Sequence, residues 1–160
     1  MKNENEIYYG EKKDFAVRYL KNSENSKYAF CHLMLAEKII GDLNENCYLG
    51  TWKNSIENLK KEIENGNFKV DEDKVFEKKS DDEIFDLIWN ENLDYRKLQV
   101  TIDETTDAYL LSLIEKGGIL KFLWKGLREP CPENQIGKLN TVEVEIQNVI
   151  KTIEHVLLEI

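Results

Sequence analysis

The sequence predicts an α+β fold, a mainly antiparallel sheet with three principal helices packed on it. Two observations support this class. The segments follow the order strand, strand, hairpin, helix, helix, strand, hairpin, helix, which differs from repeating βαβ units. Two pairs of strand-like segments are also joined by connections short enough for antiparallel hairpins. With 160 residues the chain can bury one good core, so we predict a single domain over residues 1–160.

Residues 28–42, with the sequence YAFCHLMLAEKIIGD, are predicted to form the central hairpin. The first eight of these residues carry no formal charge, and their alternating side chains are largely apolar on both faces. A strand that is covered on both faces belongs in the middle of a sheet. The turn falls at Ala36-Glu37-Lys38, and its type is left open. Two shorter strands are expected before it, at residues 7–9 and 15–20.

Capping residues and apolar spacing indicate two helices in the middle of the chain. The first is predicted to begin after an N-cap at Thr51 and to end at Gly66. Its buried stripe is predicted from a spacing of four, three and four residues: Trp52, Ile56, Leu59 and Ile63. Ser80 and Glu83 form a capping box, which predicts the start of the second helix.

The last third of the chain is predicted to contain a strand, a hairpin and a helix. Leu98, Val100 and Ile102 alternate with polar residues, as in a strand with one solvated face. Residues 109–114 and 119–125 flank a Gly-Gly pair and predict a hairpin. Asn140 and Glu143 predict a second capping box. The terminal helix should lay the following apolar stripe across the sheet: Val142, Ile146, Val149, Ile150, Ile153, Val156, Leu157 and Ile160.

Composition limits the cellular setting. The N-terminus has no apolar signal segment, and no run approaches the roughly 20 apolar residues of a membrane helix. Cys31, Cys47 and Cys131 are widely spaced and odd in number, so we expect reduced thiols. These features predict a cytoplasmic protein that does not bind membranes.

The sequence contains no recognised motif for catalysis or cofactor binding. Asp71-Glu72-Asp73 does not continue as a calcium loop, because Val75 and Phe76 occupy positions that need an oxygen ligand and a glycine. Gly117-Gly118 lies between strands rather than before a helix, so it does not predict a phosphate site. The chain also lacks a nucleophile elbow and a zinc-binding His-Glu-x-x-His motif. We therefore predict no metal, no cofactor and no enzyme activity, although an acid/base pair of carboxylates remains an alternative.

The N-terminal part resembles a known family. The relevant residues are Ile7-Tyr8-Tyr9-Gly10, a Gly-x-x-x-Asp-Phe-Ala entry at residues 10–16, the exit Ile40-Gly41-Asp42, and Leu49-Gly50-Thr51. Together they resemble the Imm42-type immunity proteins of bacterial polymorphic and contact-dependent growth inhibition toxin systems. The resemblance covers residues 7–59, about a third of the chain. It implies a protein that binds a toxin domain, and many such toxins are nucleases with cationic active sites.

Negative charge is concentrated in one segment. The formal net charge is −9, and the 37 residues from Asp71 to Asp107 hold thirteen carboxylates and five basic residues. The remainder of the chain is close to neutral. Such a segment attracts basic partners and repels nucleic acid and anionic membranes. A solvated, solubilising surface is the simpler explanation of the same charge.

Aromatic residues among these carboxylates favour a binding surface, because aromatic anchors contribute much of the energy of protein interfaces. The predicted partner-binding residues are Asp71, Glu72, Asp73, Phe76, Glu77, Asp81, Asp82, Phe85, Asp86 and Trp89. The sequence thus predicts an immunity protein that forms a heterodimer with the C-terminal domain of a cognate toxin, a basic nuclease, and occludes it stoichiometrically. It predicts no binding of nucleic acid. The alternatives are an acidic mimic of nucleic acid that inhibits other nucleic-acid-binding proteins, and a carboxylate-dependent hydrolase.

Overall fold

The structure is a computed structural model that describes residues 5–92 and 94–160. Within these ranges it contains eight β-strands and three principal helices, which confirms the α+β class. The strands form two antiparallel sheets, whereas the sequence led us to expect one. The first sheet consists of β1 (Glu6–Gly10), β2 (Phe15–Lys21), β3 (Tyr28–Leu35), β4 (Lys38–Ile40) and β5 (Cys47–Tyr48). The second consists of β6 (Tyr109–Lys116), β7 (Ile119–Gly126) and β8 (Asn140–Glu145), and the helices are α1 (Leu49–Glu64), α2 (Asp81–Ile88) and α3 (Ile146–Glu159).

Strand β3 is the central strand of the first sheet, as predicted. It pairs with β2 on one side and with β4 and β5 on the other. Ala36 and Glu37 form a two-residue turn in which both residues have positive φ, 50° and 66°. That geometry is typical of a type I′ hairpin turn. Lys38 therefore belongs to β4, paired with Leu35, rather than to the turn.

The hairpin of β6 and β7 is also confirmed. Gly117 and Gly118 connect the two strands, with φ values of 60° and 79°. Glycine adopts this left-handed conformation without the steric penalty of a Cβ atom. Helix α2 packs against this hairpin, on β7.

Helix α1 buries the predicted stripe, but it begins earlier than predicted. Trp52, Ile56, Leu59 and Ile63 are its buried residues. The N-cap residue is Tyr48 and makes no side-chain cap, so the prediction of an N-cap at Thr51 was wrong. The amide of Leu49 instead donates to the carbonyl of Lys27 at 2.9 Å, because β5 delivers the chain directly into the helix.

The second capping box predicted from the sequence was wrong. Residues 140–145 form β8, which pairs with β7 over six residues, and α3 begins only at Ile146. Pairing in the sheet thus overrides the local helix signal. The side chain of Asn140 accepts a hydrogen bond from Lys38 Nζ at 2.6 Å, so it ties β8 to the first sheet rather than capping a helix.

The predicted strand around Val100 was also wrong. Residues 96–98 form a 3-10 turn, and Gln99 makes one isolated bridge to Ser112. Lys69 makes a second isolated bridge to Glu115 along β6. Two separate segments therefore each contact β6 at a single bridge, and neither extends into a paired strand.

One hydrophobic cluster extends across both sheets and all three helices. Helices α1 and α3 pack on the first sheet, and α2 packs on β7. The rings of Phe15 and Phe122 stack at 5.6 Å and join the two sheets. The three cysteines are free and buried, as expected for reduced thiols. The assignment of residues 1–160 to one domain stays a prediction, and residues 1–4 lie outside the described ranges.

Candidate functional site

Two lysines of β7 hold the inner side of α2, the helix at the centre of the predicted binding surface. Lys121 Nζ lies 2.6 Å from Asp81 Oδ1 and 3.8 Å from Glu143 Oε1. Lys125 Nζ lies 5.0 Å from the centre of the Phe85 ring. Asp81 is therefore already paired within the chain, and this helix has one side turned toward the second sheet.

A capping box fixes the start of α2. The Ser80 hydroxyl accepts from the Glu83 amide at 3.2 Å, and Glu83 accepts from the Ser80 amide at 3.1 Å, which confirms the predicted capping box. The hydrogen bond from the Ser80 backbone holds the pKa of Glu83 below its ordinary value. Negative charge at this end is also favoured by the helix dipole.

Two of the predicted binding carboxylates stabilise local backbone. Asp71 Oδ1 accepts a hydrogen bond from the amide of Gly117 at 2.8 Å, which joins the acidic segment to the β6–β7 turn. Asp73 Oδ1 accepts from the amide of Val75 at 3.0 Å and caps a short 3-10 turn. Both side chains have a structural role, whatever else they contact.

A depression of about 800 Å³ lies beside this segment. Its lining combines carboxylates with two basic side chains, and consists of Lys69, Asp71, Glu72, Asp73, Lys74, Glu115 and Gly118. Mixed charge makes it a weaker attractor of cations than the sequence count suggests. Within the described ranges, no three His, Cys, Asp or Glu side chains are arranged to hold a metal ion.

The structure corrects the role of two predicted aromatic anchors. Phe76 and Phe85 are each only 3% exposed and belong to the chain's own hydrophobic core. Phe76 packs edge-on against Tyr95 at 5.0 Å, and Phe85 lies 6.2 Å from Trp89. The correction has a clear cause, because the inner face of α2 is apolar and must be buried against β7. Neither ring is presented to a partner.

Trp89 lies at the edge of this core. Its backbone amide donates to the Phe85 carbonyl at 3.1 Å, so it closes the C-terminal end of α2. The ring is partly buried, and its Nε1 is buried with no hydrogen-bond partner within residues 5–92 and 94–160. Of the three predicted aromatic anchors, this ring is the one that remains in part at the surface.

Four predicted residues remain as exposed carboxylates with no ion pair to any residue that the structure describes: Glu72, Glu77, Asp82 and Asp86. Asp82 and Asp86 are one helical turn apart, so both project from the same outer side of α2. These side chains form the exposed acidic surface, a name used below for these four residues.

Two further carboxylates of the acidic segment lie toward the other end of β6. Asp103 and Glu104 precede Tyr109, whereas Asp71 contacts the turn after Lys116. Eight residues of strand separate the two ends, which is about 24 Å. The thirteen carboxylates therefore do not form one patch.

Two comparisons bear on identity. The sequence profile of the family described as Immunity protein 42 matches residues 7–158. The chain belongs to the Immunity protein 42 family. This confirms the resemblance found in residues 7–59 and extends it over nearly the whole chain.

The fold of this Immunity protein 42 chain is similar to that of a solved structure described as the crystal structure of CdiI from Burkholderia dolosa AUO158. The two share 15% sequence identity with a TM-score of 0.65, and the likeness covers 96% of this chain and 100% of that one. At that identity the likeness shows the fold alone. No curated protein matches the chain.

Within this family member, the ten predicted site residues fall into four groups. Asp71, Asp73 and Asp81 are bonded within the chain, Phe76 and Phe85 are in the core, and Trp89 is at its margin. The exposed acidic surface holds the other four. Sequence reasoning did not select Tyr28 and Tyr48, which are the exposed aromatic residues of the structure. Their alternation with apolar neighbours gave no signal that they would reach the surface.

Proposed function

We propose that this chain is a cytoplasmic immunity protein that binds the C-terminal domain of a cognate toxin and neutralises it by stoichiometric occlusion, without catalysis. The partner is a basic domain, and we infer a nuclease. The observation that carries the proposal is membership of the Immunity protein 42 family over residues 7–158. Within the described residues no helix has both the length and the apolar character to cross a membrane.

The exposed acidic surface supports the choice of a basic partner. Within residues 5–92 and 94–160 none of its carboxylates forms an ion pair, so their field extends into solvent. Such a field accelerates association with a cation-rich protein and weakens as salt screens it, over about 8 Å at physiological ionic strength. A stable complex of this kind buries about 1,600 Å² in total.

The proposed function predicts that the adjacent reading frame encodes a large secreted protein with a variable C-terminal domain. That toxin domain is the partner used to test the proposal. The purified chain and that domain should form a 1:1 complex, and the association rate should fall steeply as salt is raised. Absence of a complex would contradict the proposed function. Binding of several unrelated basic proteins with equal affinity would instead indicate a general mimic of nucleic acid.

A charge-reversed variant locates the attraction. Asp82→Lys with Asp86→Lys should lower the association rate about tenfold or more at low salt, with a much smaller change in the dissociation rate. Asp81 is left intact because it pairs with Lys121. The matched control is Glu11→Lys with Glu62→Lys, which changes the net charge equally at exposed positions between β1 and β2 and on α1. Equal effects of the two variants would show that net charge, rather than this surface, steers the partner.

A further inference from the structure

The exposed aromatic residues of this chain form a single pair. The sequence has three Trp, seven Tyr and six Phe, all of which lie within residues 5–92 and 94–160. Among them only Tyr28, 40% exposed, and Tyr48, 51% exposed, are classed as exposed rather than buried or half-buried. Their rings touch edge-to-face with centres 5.7 Å apart. Leaving two adjacent tyrosine rings in water has a cost in free energy that a partner could remove.

Regular structure holds the pair in place. Tyr28 begins β3 and lies directly opposite Tyr48 in β5. Cys47 Sγ donates to the carbonyl of Ala29 at 3.3 Å, which attaches β5 to β3. A Cβ atom at Gly50 would lie 3.0 Å from Cε1 of Tyr48, so the glycine leaves the space that this ring occupies. The two rings are thus positioned before any partner binds, which reduces the entropy lost on binding.

The pair borders a cavity of about 320 Å³ with an acidic lining. Glu45, Asp103 and Glu104 line it, and within the described part of the chain no basic side chain does. Asp103 is held by the amide of Thr105 at 3.2 Å and by its hydroxyl at 2.6 Å. The uncapped N-terminus of α1 lies nearby and contributes only about half a positive charge. Three carboxylates outweigh it, so the cavity favours a cation.

Elsewhere in the chain, lysines lie over two aromatic rings. Lys12 Nζ lies 3.8 Å from the centre of the Tyr8 ring, and Lys125 Nζ lies 5.0 Å from that of Phe85. Among the described residues no cation lies over Tyr28 or Tyr48 in this way. The pair therefore combines exposed aromatic surface with acidic surroundings, which suits a cationic side chain of a partner.

We propose that Tyr28 and Tyr48, together with Glu45, Asp103 and Glu104, receive a Lys or Arg side chain of the toxin domain and form the aromatic anchor of that interface. This inference rests on the proposed function. The tyrosine pair provides the exposed aromatic anchor that the α2 region lacks, because Phe76 and Phe85 are in the core. Long-range attraction by the exposed acidic surface then sets the association rate, and the tyrosine pair sets the dissociation rate.

The first experiment measures dissociation of the chain from the toxin domain described above. Tyr28→Ala with Tyr48→Ala should increase the dissociation rate about 100-fold, as expected for hot-spot residues. Tyr28→Phe with Tyr48→Phe keeps both rings and should remain within a few-fold of the unaltered chain. Leu158→Ala, at a residue that is 85% exposed on α3, is the control and should change nothing. An alanine double variant that dissociates no faster than the control overturns the proposal.

Gly50→Ala tests the positioning of Tyr48 without removing any contact atom. The added methyl group presses on the ring, which must shift by a few tenths of an ångström, while alanine favours the helical backbone at this site. Dissociation should accelerate measurably with no loss of thermal stability. An unchanged dissociation rate would contradict a role for Gly50 in positioning this ring.

A second experiment is independent of the toxin. The chain is titrated with the peptide acetyl-Lys-Gly-Lys-amide while the tyrosine ring signals are followed by NMR, and acetyl-Glu-Gly-Glu-amide serves as the control peptide. Shifts of the Tyr28 and Tyr48 signals with the lysine peptide alone are expected. Their absence overturns the cation site even if the toxin domain binds. Shifts without any toxin binding would support the site and contradict the proposed function.

Sedimentation of the chain alone tests whether a second copy of the chain, rather than the toxin domain, covers the tyrosine pair. A dimer that Tyr28→Ala with Tyr48→Ala converts to a monomer would assign the pair to a second copy of the chain and overturn the proposal. The expected result is the same sedimentation for both proteins.

Discussion

Two acidic regions of the molecule, helix α2 and the cavity beside Tyr28 and Tyr48, differ in what lies among their carboxylates. On α2, Asp82 and Asp86 are exposed, while Phe85 is buried in the chain's own core. In the cavity, Asp103 and Glu104 lie beside two exposed tyrosines. One region therefore combines exposed charge with buried rings, and the other combines charge with exposed rings. Charge alone gives attraction, whereas a rigid exposed ring adds contact energy at short range.

The largest expected difference concerns stability. Phe85→Ala should lower the free energy of unfolding by about 3–5 kcal/mol, because it empties a site in the core. Tyr48→Ala should change it by about 0.5 kcal/mol or less, as is usual for exposed positions. Urea denaturation of both variants measures the contrast. Similar losses for the two residues would mean that the distinction between a core ring and a surface ring is wrong.

The start of α2 is tested by its cap. Ser80→Ala removes the hydroxyl that accepts from the Glu83 amide and should cost about 1 kcal/mol of unfolding free energy. Thr51→Ala is the matched control, since α1 has no side-chain cap and this exposed residue lies inside the helix. Chemical denaturation should show little or no loss for the control. A loss as large as that of Ser80→Ala would restore the cap predicted at Thr51.

The ion pair between Asp81 and Lys121 should contribute a smaller amount. Asp81→Asn should cost about 0.2–1 kcal/mol more than Asp82→Asn, as is usual for partly exposed pairs. Both residues lie in the first turn of α2, so the loss of charge near the helix N-terminus is common to the two variants. The difference in unfolding free energy thus isolates the pair. No difference would mean that Lys121 does not fix α2 to β7.

The smallest expected effect carries a distinctive dependence on pH. Burial raises the pKa of Asp103, and Glu104 and Asp107 add to the rise. A raised pKa means that the ionised form of Asp103 is disfavoured in the folded chain. This group therefore lowers the free energy of unfolding as the pH rises from its pKa in the unfolded chain to its pKa in the folded chain. Asp103→Asn, which keeps an acceptor for Thr105, should therefore stabilise the chain slightly at neutral pH and lose that advantage below about pH 4. Thermal unfolding at both pH values measures it, and a destabilising effect at neutral pH would contradict this account.

Local signals in the sequence were sufficient for much of the fold. The Ser80–Glu83 capping box, the buried stripe that begins at Trp52 and the Gly117-Gly118 turn each depend on residues a few positions apart. The structure confirms all three. Interactions between neighbours in the chain are visible in a single sequence because their spacing alone defines them.

Predictions that depended on distant partners failed. Asn140 has a good local cap pattern, but pairing with β7 places residues 140–145 in a sheet. The candidate site shows the same limit. Phe85 and Tyr48 are both aromatic residues near carboxylates, and only the packing of α2 against β7 decides that one ring is buried. Exposure is a property of the assembled chain, so sequence spacing could not identify Tyr28 and Tyr48.

Amide hydrogen exchange of the chain, alone and saturated with the toxin domain, tests the central claim most directly. We predict slower exchange on binding at two places, around the exposed acidic surface and around the Tyr28–Tyr48 pair with its neighbour Asp103. Slower exchange confined to some other surface, such as the β1 edge of the first sheet, with both of these places unchanged, would contradict it.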